Sequence, residues 1–451
     1  MPGALSTDLY ELTMAAGYHA AADDTVASFE LFVRELPADR AYLVSAGLEQ
    51  ALDFLRDWHF TADDIAYLRS VPALSGASYD FFDVFLPGVR FTGDVWAVTE
   101  GLPVFAGEPL LRVRAPLAEA QLVETALLAI TLFQTSVASK ASRVVQAAGG
   151  RPVIEFGARR AHGLDAGVYA ARAAYLAGCE ATSNVDAGHR FSIPVSGTMA
   201  HSWVMAHDDE LTAFTRYCAV HGPHSVLLID TYDTLAAARC IVSAGLRPAA
   251  VRVDSGDLAG LSVAVRGILD GGGLRQTKIL VSGDLDEHRI DTLMAAGAPI
   301  DGFGVGTAVT TSADAPSLSG VYKLVEVVRD GTTVPVAKLS PGKRTLPGAK
   351  QVWRVAEAGK AQRDVMGMAD ESGPPQGMPL LRRVMRDGRL TDPAPLLDAI
   401  RDRCRSEVAA LPAGVRRLTD AERFPVELSA ALDRLSRRVG DPGDHPAALS
   451  S

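Results

Sequence analysis

From about residue 150 onward the chain alternates short apolar, β-branched runs with stretches of helical spacing, and this repeat restricts the available folds more than any other feature. The strand-like runs fall at 152–156, 193–196, 226–229, 250–253, 278–281, 300–305 and 322–327. Helix-like stretches separate most of them, at 160–177, 209–221, 234–244, 258–269 and 287–296. Repeated strand–helix units imply parallel strands with helical crossovers, either as a barrel or as an open doubly wound sheet. Both architectures collect ligands at the C-terminal ends of their strands. No G-x-G-x-x-G opens a helix after the first strand, which favours the barrel.

The flanks have a different texture. Helical spacing at 8–18 and 47–58, alternation at 27–33, 95–99 and 110–113, and a long helix over 117–148 make the first part mixed α/β. Alternation returns at 334–356, with Lys338, Lys343, Arg344 and Lys350, in a segment that can rejoin the N-terminal part. Basic and acidic amphipathic helices are expected at 382–389 and 392–439. The expected division is therefore 1–116, a barrel over 117–330, returning strands at 331–374 and a helical C-terminal extension at 375–451.

Charge narrows the partners. A 451-residue chain with a net charge of −10 opposes nucleic acid and anionic membrane surfaces, so a phosphate ligand would need a local pocket of donors. The four cysteines form no C-x-x-C pair, which gives no support to zinc or redox motifs and fits a reducing cytoplasm. The apolar stretch near 122–133 is interrupted by Glu124 and is too short to span a bilayer, and the N-terminus is not expected to be a secretory signal.

The chemistry-bearing residues lie where the strand-like runs end. Gly302-Phe303-Gly304-Val305-Gly306-Thr307 lets backbone N–H groups approach a phosphate and adds a hydroxyl, although a plain tight turn reads the same way. Asp230, Asp254 and Asp284 each follow an apolar run, whereas Asp257 and Asp286 read as caps of the next helices. Carboxylates at a barrel mouth suit ribose hydroxyls, or a Mg²⁺ ion that clamps a diphosphate. Arg252 and Asp254 lie two apart on one strand and share a face, either as a buried ion pair or with the guanidinium free for an anion. Phe156, Arg159 and Arg160 supply an aromatic face and two more cations. His201, in Ser196-Gly197-Thr198-Met199-Ala200-His201-Ser202, is either a packed imidazole or a nucleophile toward a nucleoside triphosphate.

These motifs, with Thr7-Asp8-Leu9-Tyr10-Glu11-Leu12-Thr13-Met14, Phe133-Gln134-Thr135 and Thr182-Ser183-Asn184, resemble those of the nicotinate phosphoribosyltransferase family over most of residues 5–355. The resemblance implies an irregular α/β barrel of the type II phosphoribosyltransferase kind, beside an α/β sandwich built from both chain ends. It implies a cytoplasmic homodimer with shared active sites. The implied reaction makes nicotinate mononucleotide from nicotinate and phosphoribosyl diphosphate in NAD salvage, with ATP hydrolysis coupled and Mg²⁺ required. Carried over by motif, Tyr10 and Phe156 would stack on the nicotinate ring. Thr198 and Arg252 would hold its carboxylate, with Arg159 nearby. His201 would carry phosphate, and Asp254 and Asp284 would touch ribose or metal. Gly283, Gly304, Gly306 and Thr307 would hold phosphoribosyl diphosphate, while Lys338, Lys343 and Lys350 would face ATP or diphosphate. Relatives that use nicotinamide carry Asp where this chain has Ser183, which points to the acid as substrate; Asp186 is the nearby carboxylate.

Overall fold

The computed structural model describes residues 3–340 and 343–440. Residues 441–451 of the expected C-terminal extension, and residues 341–342 of the returning strands, lie outside them. Two compact units emerge: one takes the chain up to Thr135 and from Ser317 onward, the other Ser136–Pro316.

In the first unit, chain segments from both ends interleave in one antiparallel sheet. Its seven strands run in the order Thr332–Pro335, Gly320–Arg329, Val26–Val33, Pro109–Pro116, Asp94–Val98, Leu381–Arg386 and Arg389–Leu390. Alternating apolar residues of Val26–Val33 and Pro109–Pro116 enter a core that includes Leu31, Val95, Val113 and Tyr322. The run near 322–327 thus belongs to this antiparallel sheet and not to the series of parallel strands. Lys350 is also relocated: it is buried, its Nζ lies 2.8 Å from Glu30 Oε2, and it donates to the carbonyls of Leu346 and Gly348. It forms a core ion pair, buried away from solvent, where the resemblance placed it toward ATP or diphosphate.

The C-terminal part is not purely helical. Residues 382–389 fall mostly in the strand Leu381–Arg386, which turns back into Arg389–Leu390. The turn is Asp387-Gly388, with φ of 48° and 71°, a left-handed pair that joins hairpin strands and would end a helix. Helices do form at Leu397–Ala410 and Ala430–Gly440.

The second unit carries the repeat. Its parallel strands are β1 (Val153–Glu155), β2 (Ala181–Thr182), β3 (Val226–Leu228), β4 (Ala250–Val253), β5 (Lys278–Val281) and β6 (Gly302–Val305), arranged β2-β1-β6-β5-β4-β3. Helices Leu164–Leu176, Glu210–His221, Thr234–Ser243, Leu258–Gly271 and Glu287–Ala295 connect them. Asp233, Asp257 and Asp286 cap three of these by accepting from the N–H groups of Ala236, Gly260 and Arg289.

The sheet does not close by strand pairing alone. The segment expected as a strand at 193–196 contributes one bridge, Val195 to Thr182. Thr182 N donates to Pro194 O, Ser196 N donates to Thr182 O, and two residues on the Thr198 hydroxyl donates to Val226 O at 2.9 Å. An irregular segment therefore bridges the two edge strands of a parallel half-barrel sheet.

Candidate active site

Residues from the C-terminal ends of five strands, and from the irregular segment, converge on one cavity of about 440 Å³ in the second unit. β1 leads into Phe156, Arg159 and Arg160, and β2 into Ser183. β4 supplies Arg252 and Asp254, β5 runs into Ser282, Gly283, Asp284 and Leu285, and β6 provides Gly304, Gly306 and Thr307. Gly197 to Ala200 form the remaining wall. Of the residues to which the resemblance gives catalytic or ligand-binding roles, ten therefore share this cavity: Phe156, Arg159, Thr198, Arg252, Asp254, Gly283, Asp284, Gly304, Gly306 and Thr307; Arg160 and Ser183 line it too. Tyr10 does not line it; that side chain is exposed on the helix Leu9–Ala20 of the first unit.

Arg252 dominates the electrostatics. Its side chain is 14% exposed, and one terminal nitrogen lies 3.5 Å from Asp254 Oδ1. Its Nε is buried without a hydrogen-bond partner. Burial weakens its hold on the proton, Asp254 and Asp230 strengthen it, and Arg159 opposes them. A guanidinium stays charged through such shifts, so the site presents a cation with an unused donor. Arg252 also lines the cavity, where an incoming carboxylate or phosphate would meet its guanidinium in a charge-assisted bond.

Asp254 is held in turn. Its Oδ1 accepts from the Ser282 hydroxyl, while its backbone N–H donates to Asp230 Oδ2 at 3.0 Å. Asp230 also accepts from Ser255 Oγ at 2.6 Å, and its Oδ1 is buried without a partner. Asp230 thus fixes the turn that presents Asp254. Asp284 is exposed at φ 46°, directly after Gly283 at φ 94°. A Cβ on Gly283 would run into the Asp254 carbonyl, so this close approach requires glycine. Gly304 has the same function beneath Phe156, since a Cβ there would lie 2.5 Å from the ring.

His201 opens the short helix His201–Met205, next to the cavity-lining Ala200. Its Nδ1 lies 3.1 Å from Thr231 Oγ1, which leaves Nε2 as the ring nitrogen without a partner among the described residues. The Thr198 hydroxyl donates to Val226 O at 2.9 Å at the wall of the cavity. Asp186 turns away: it forms an ion pair with Arg190 at 2.7 Å and does not line the cavity, whereas Ser183 does.

Sequence reasoning gave no site role to Ser282 or Leu285. A serine immediately before the glycine of a strand-end turn was the available signal for Ser282. Among the described residues no group of three or more His, Cys, Asp or Glu side chains forms a metal cage, and no helix is long and apolar enough to cross a membrane.

The class defined by this fold is the type II phosphoribosyltransferases. Family models described as nicotinate phosphoribosyltransferase match the chain in three stretches: the N-terminal domain over residues 5–131, the family itself over 152–345 and the C-terminal domain over 375–436. The chain belongs to the nicotinate phosphoribosyltransferase family. It is 47% identical over 435 residues to nicotinate phosphoribosyltransferase pncB2 of Mycobacterium tuberculosis, covering 95% of this chain and 92% of that one. It is 44% identical over 382 residues to the nicotinate phosphoribosyltransferase of Bacillus subtilis, covering 81% and 76%. The crystal structure of human nicotinic acid phosphoribosyltransferase superposes with a TM-score of 0.84 at 30% identity, over 96% of this chain and 99% of the human one.

Proposed function

We propose that the protein joins nicotinate to the ribose of phosphoribosyl diphosphate, releasing diphosphate and nicotinate mononucleotide for NAD salvage, with ATP hydrolysis coupled. The observation that carries this reading is the guanidinium of Arg252, only partly met by Asp254, lining a cavity with Phe156, Arg159 and the glycine-rich end of β6. The Arg252 guanidinium would hold the ring carboxylate with Arg159 beside it, and Phe156 would cover one face of the ring. The backbone at Gly304, Gly306 and Thr307 would hold the 5-phosphate.

The pyridine nitrogen attacks C1 of the ribose as the C1–O bond to diphosphate breaks. Nothing in this exchange needs a strong base, so positioning and charge stabilisation supply most of the acceleration. Asp254 and Asp284 would face ribose hydroxyls. Their carboxylates would also be available to hold a Mg²⁺ ion, which when bound would offset the charge of the departing diphosphate.

His201 would accept phosphate from ATP: neutral Nε2 attacks the terminal phosphorus, an N–P bond forms, the P–O bond breaks and ADP leaves. Hydrolysis of that bond after the transfer would reset the enzyme. A homodimer completes the reading, with the exposed Tyr10 of each copy stacking on nicotinate in the other's site.

The test is a side-by-side assay of nicotinate, nicotinamide and quinolinate with phosphoribosyl diphosphate and Mg²⁺, with and without ATP. Nicotinate should be turned over best, with ADP formed alongside the mononucleotide. Preference for either other acceptor would overturn the substrate assignment, and product without ADP would overturn the coupling.

A further inference from the structure

Glu155, the last residue of β1, is buried and does not line the cavity described above, yet its carboxylate collects donors from three separate segments, a strand, a helix and a turn. Oε2 accepts from the Thr182 hydroxyl at 2.6 Å, and Oε1 accepts from the Thr310 hydroxyl at 2.8 Å and from Gly157 N–H. Each donor lies near a different part of the proposed site. Gly157 follows Phe156 and precedes Arg159, Thr182 precedes Ser183, and Thr310 ends the helix Thr307–Thr310 opened by the phosphate-side threonine. Backbone bonds reinforce the junction: Ser183 N donates to Glu155 O at 2.9 Å and Phe156 N to Val305 O at 2.8 Å. Asn184 N donates to Thr182 Oγ1, which directs the threonine proton at the carboxylate. Gly157 leaves the space that the Thr310 hydroxyl occupies, since a Cβ there would overlap it.

We propose that Glu155 is a positioning residue that couples the aromatic-acid end of the pocket to the phosphate end. One rigid acceptor fixes the Phe156–Arg159 loop, the Ser183 loop and the Thr307 helix together, so a disturbance on one side reaches the other. This rests on the reading of the pocket given above. It differs from a merely local structural role in one consequence: removing a donor on the phosphate side must weaken nicotinate, and removing the donor beside Ser183 must weaken phosphoribosyl diphosphate.

The experiment uses the full-length enzyme with Thr310→Val, Thr182→Val and Glu155→Gln, and the rescue variants Thr310→Ser and Thr182→Ser. KM for each substrate and kcat are measured separately. Thr310→Val should raise KM for nicotinate several-fold, and Thr182→Val should do the same for phosphoribosyl diphosphate. Glu155→Gln, which turns an N–H toward one of three donors, should raise both, and the serine variants should stay near wild type. Effects confined to the substrate on the mutated side would refute the coupling, as would serine variants as impaired as the valines. Hydrogen exchange of the unliganded enzyme reads the same coupling without turnover: Thr310→Val should deprotect 156–160 and 182–184, and unchanged protection there overturns the proposal. Failure of the wild-type enzyme to convert nicotinate would count against the proposed reaction, while the exchange result would still decide the role of Glu155.

Discussion

Asp254 satisfies only part of Arg252: its Oδ1 lies 3.5 Å from one terminal nitrogen of the guanidinium, while Nε, on the same planar group, is buried and has no partner. Arg252 also lines the cavity, so an anionic ligand can meet its guanidinium there. Replacing Arg252 with Ala should therefore weaken nicotinate far more than it weakens the fold. A lost hydrogen bond from a charged group is worth about 1.5–3 kcal/mol, so KM for nicotinate should rise roughly 10- to 150-fold. Steady-state kinetics beside a thermal melt check this, and an unchanged KM would remove Arg252 from the carboxylate site.

His201→Ala should keep a slow transfer reaction and lose its link to ATP. The imidazole presents Nε2 with Nδ1 held by Thr231, so its removal takes away the proposed phosphate acceptor while leaving the cavity lining in place. Measuring ADP and nicotinate mononucleotide in one reaction gives the coupling ratio. A mutant that still releases ADP in proportion to product would show that phosphate is carried elsewhere.

Ser183→Asp places a carboxylate in the cavity wall beside the proposed ring site. Like charges brought together without water between them are strongly unfavourable. KM for nicotinate should rise at least about tenfold, with nicotinamide gaining relative to it, because about 1.4 kcal/mol suffices for that change. Competition between the two acceptors measures the shift. Asp186 cannot substitute in this role, since its carboxylate is engaged by Arg190 outside the cavity.

Gly304→Ala tests the floor of the pocket. The added methyl would stand 2.5 Å from the Phe156 ring, which must move or tilt. The expected outcome is a raised KM for nicotinate with little change in kcat, and ligand-free crystals should show the ring displaced. An undisturbed ring with wild-type kinetics would mean that Phe156 does not depend on this contact.

The sequence announced the parallel strands because each apolar run stops abruptly at an acidic or glycine-rich end, and that end is where β4, β5 and β6 deliver their residues. Arg252 and Asp254 were legible as neighbours because period-two geometry is local. Ala181–Thr182 was not, since a two-residue strand owes its existence to its neighbours and not to its own pattern. Lys350 was expected to face ATP or diphosphate because its partner Glu30 is 320 residues away, and no local signal marks such a pair. The segment at 382–389 offered Arg and Met at helical intervals, but Asp387-Gly388 carried the stronger information and makes a hairpin. Glu155 shows the same limit: its position at a strand end was visible, but the convergence of Thr182 and Thr310 on it needed the fold.

A last prediction concerns stability and pH. Glu108 is buried in the first unit beside Asp364 and Arg354, with Oε2 accepting from Phe105 N–H at 2.8 Å. Asp364 is itself committed to Arg354 through bonds of 3.0 and 2.6 Å. Burial pushes the Glu108 carboxyl well above the ordinary range, the negative charge of Asp364 pushes it further, and Arg354 offsets only part of this. The folded state therefore keeps a proton that the unfolded chain releases near its ordinary value of about 4.3. The sign follows from linkage: wherever the folded state binds more protons, stability falls as pH rises. The contribution of Glu108 is thus complete below the unfolded value and declines from there up to its raised folded value. Glu108→Gln mimics the protonated acid and has no proton to lose, so its melting temperature should fall less than that of the wild type as pH rises above 4.3. Parallel slopes for the two proteins across that range would show that the buried carboxyl does not hold its proton on folding.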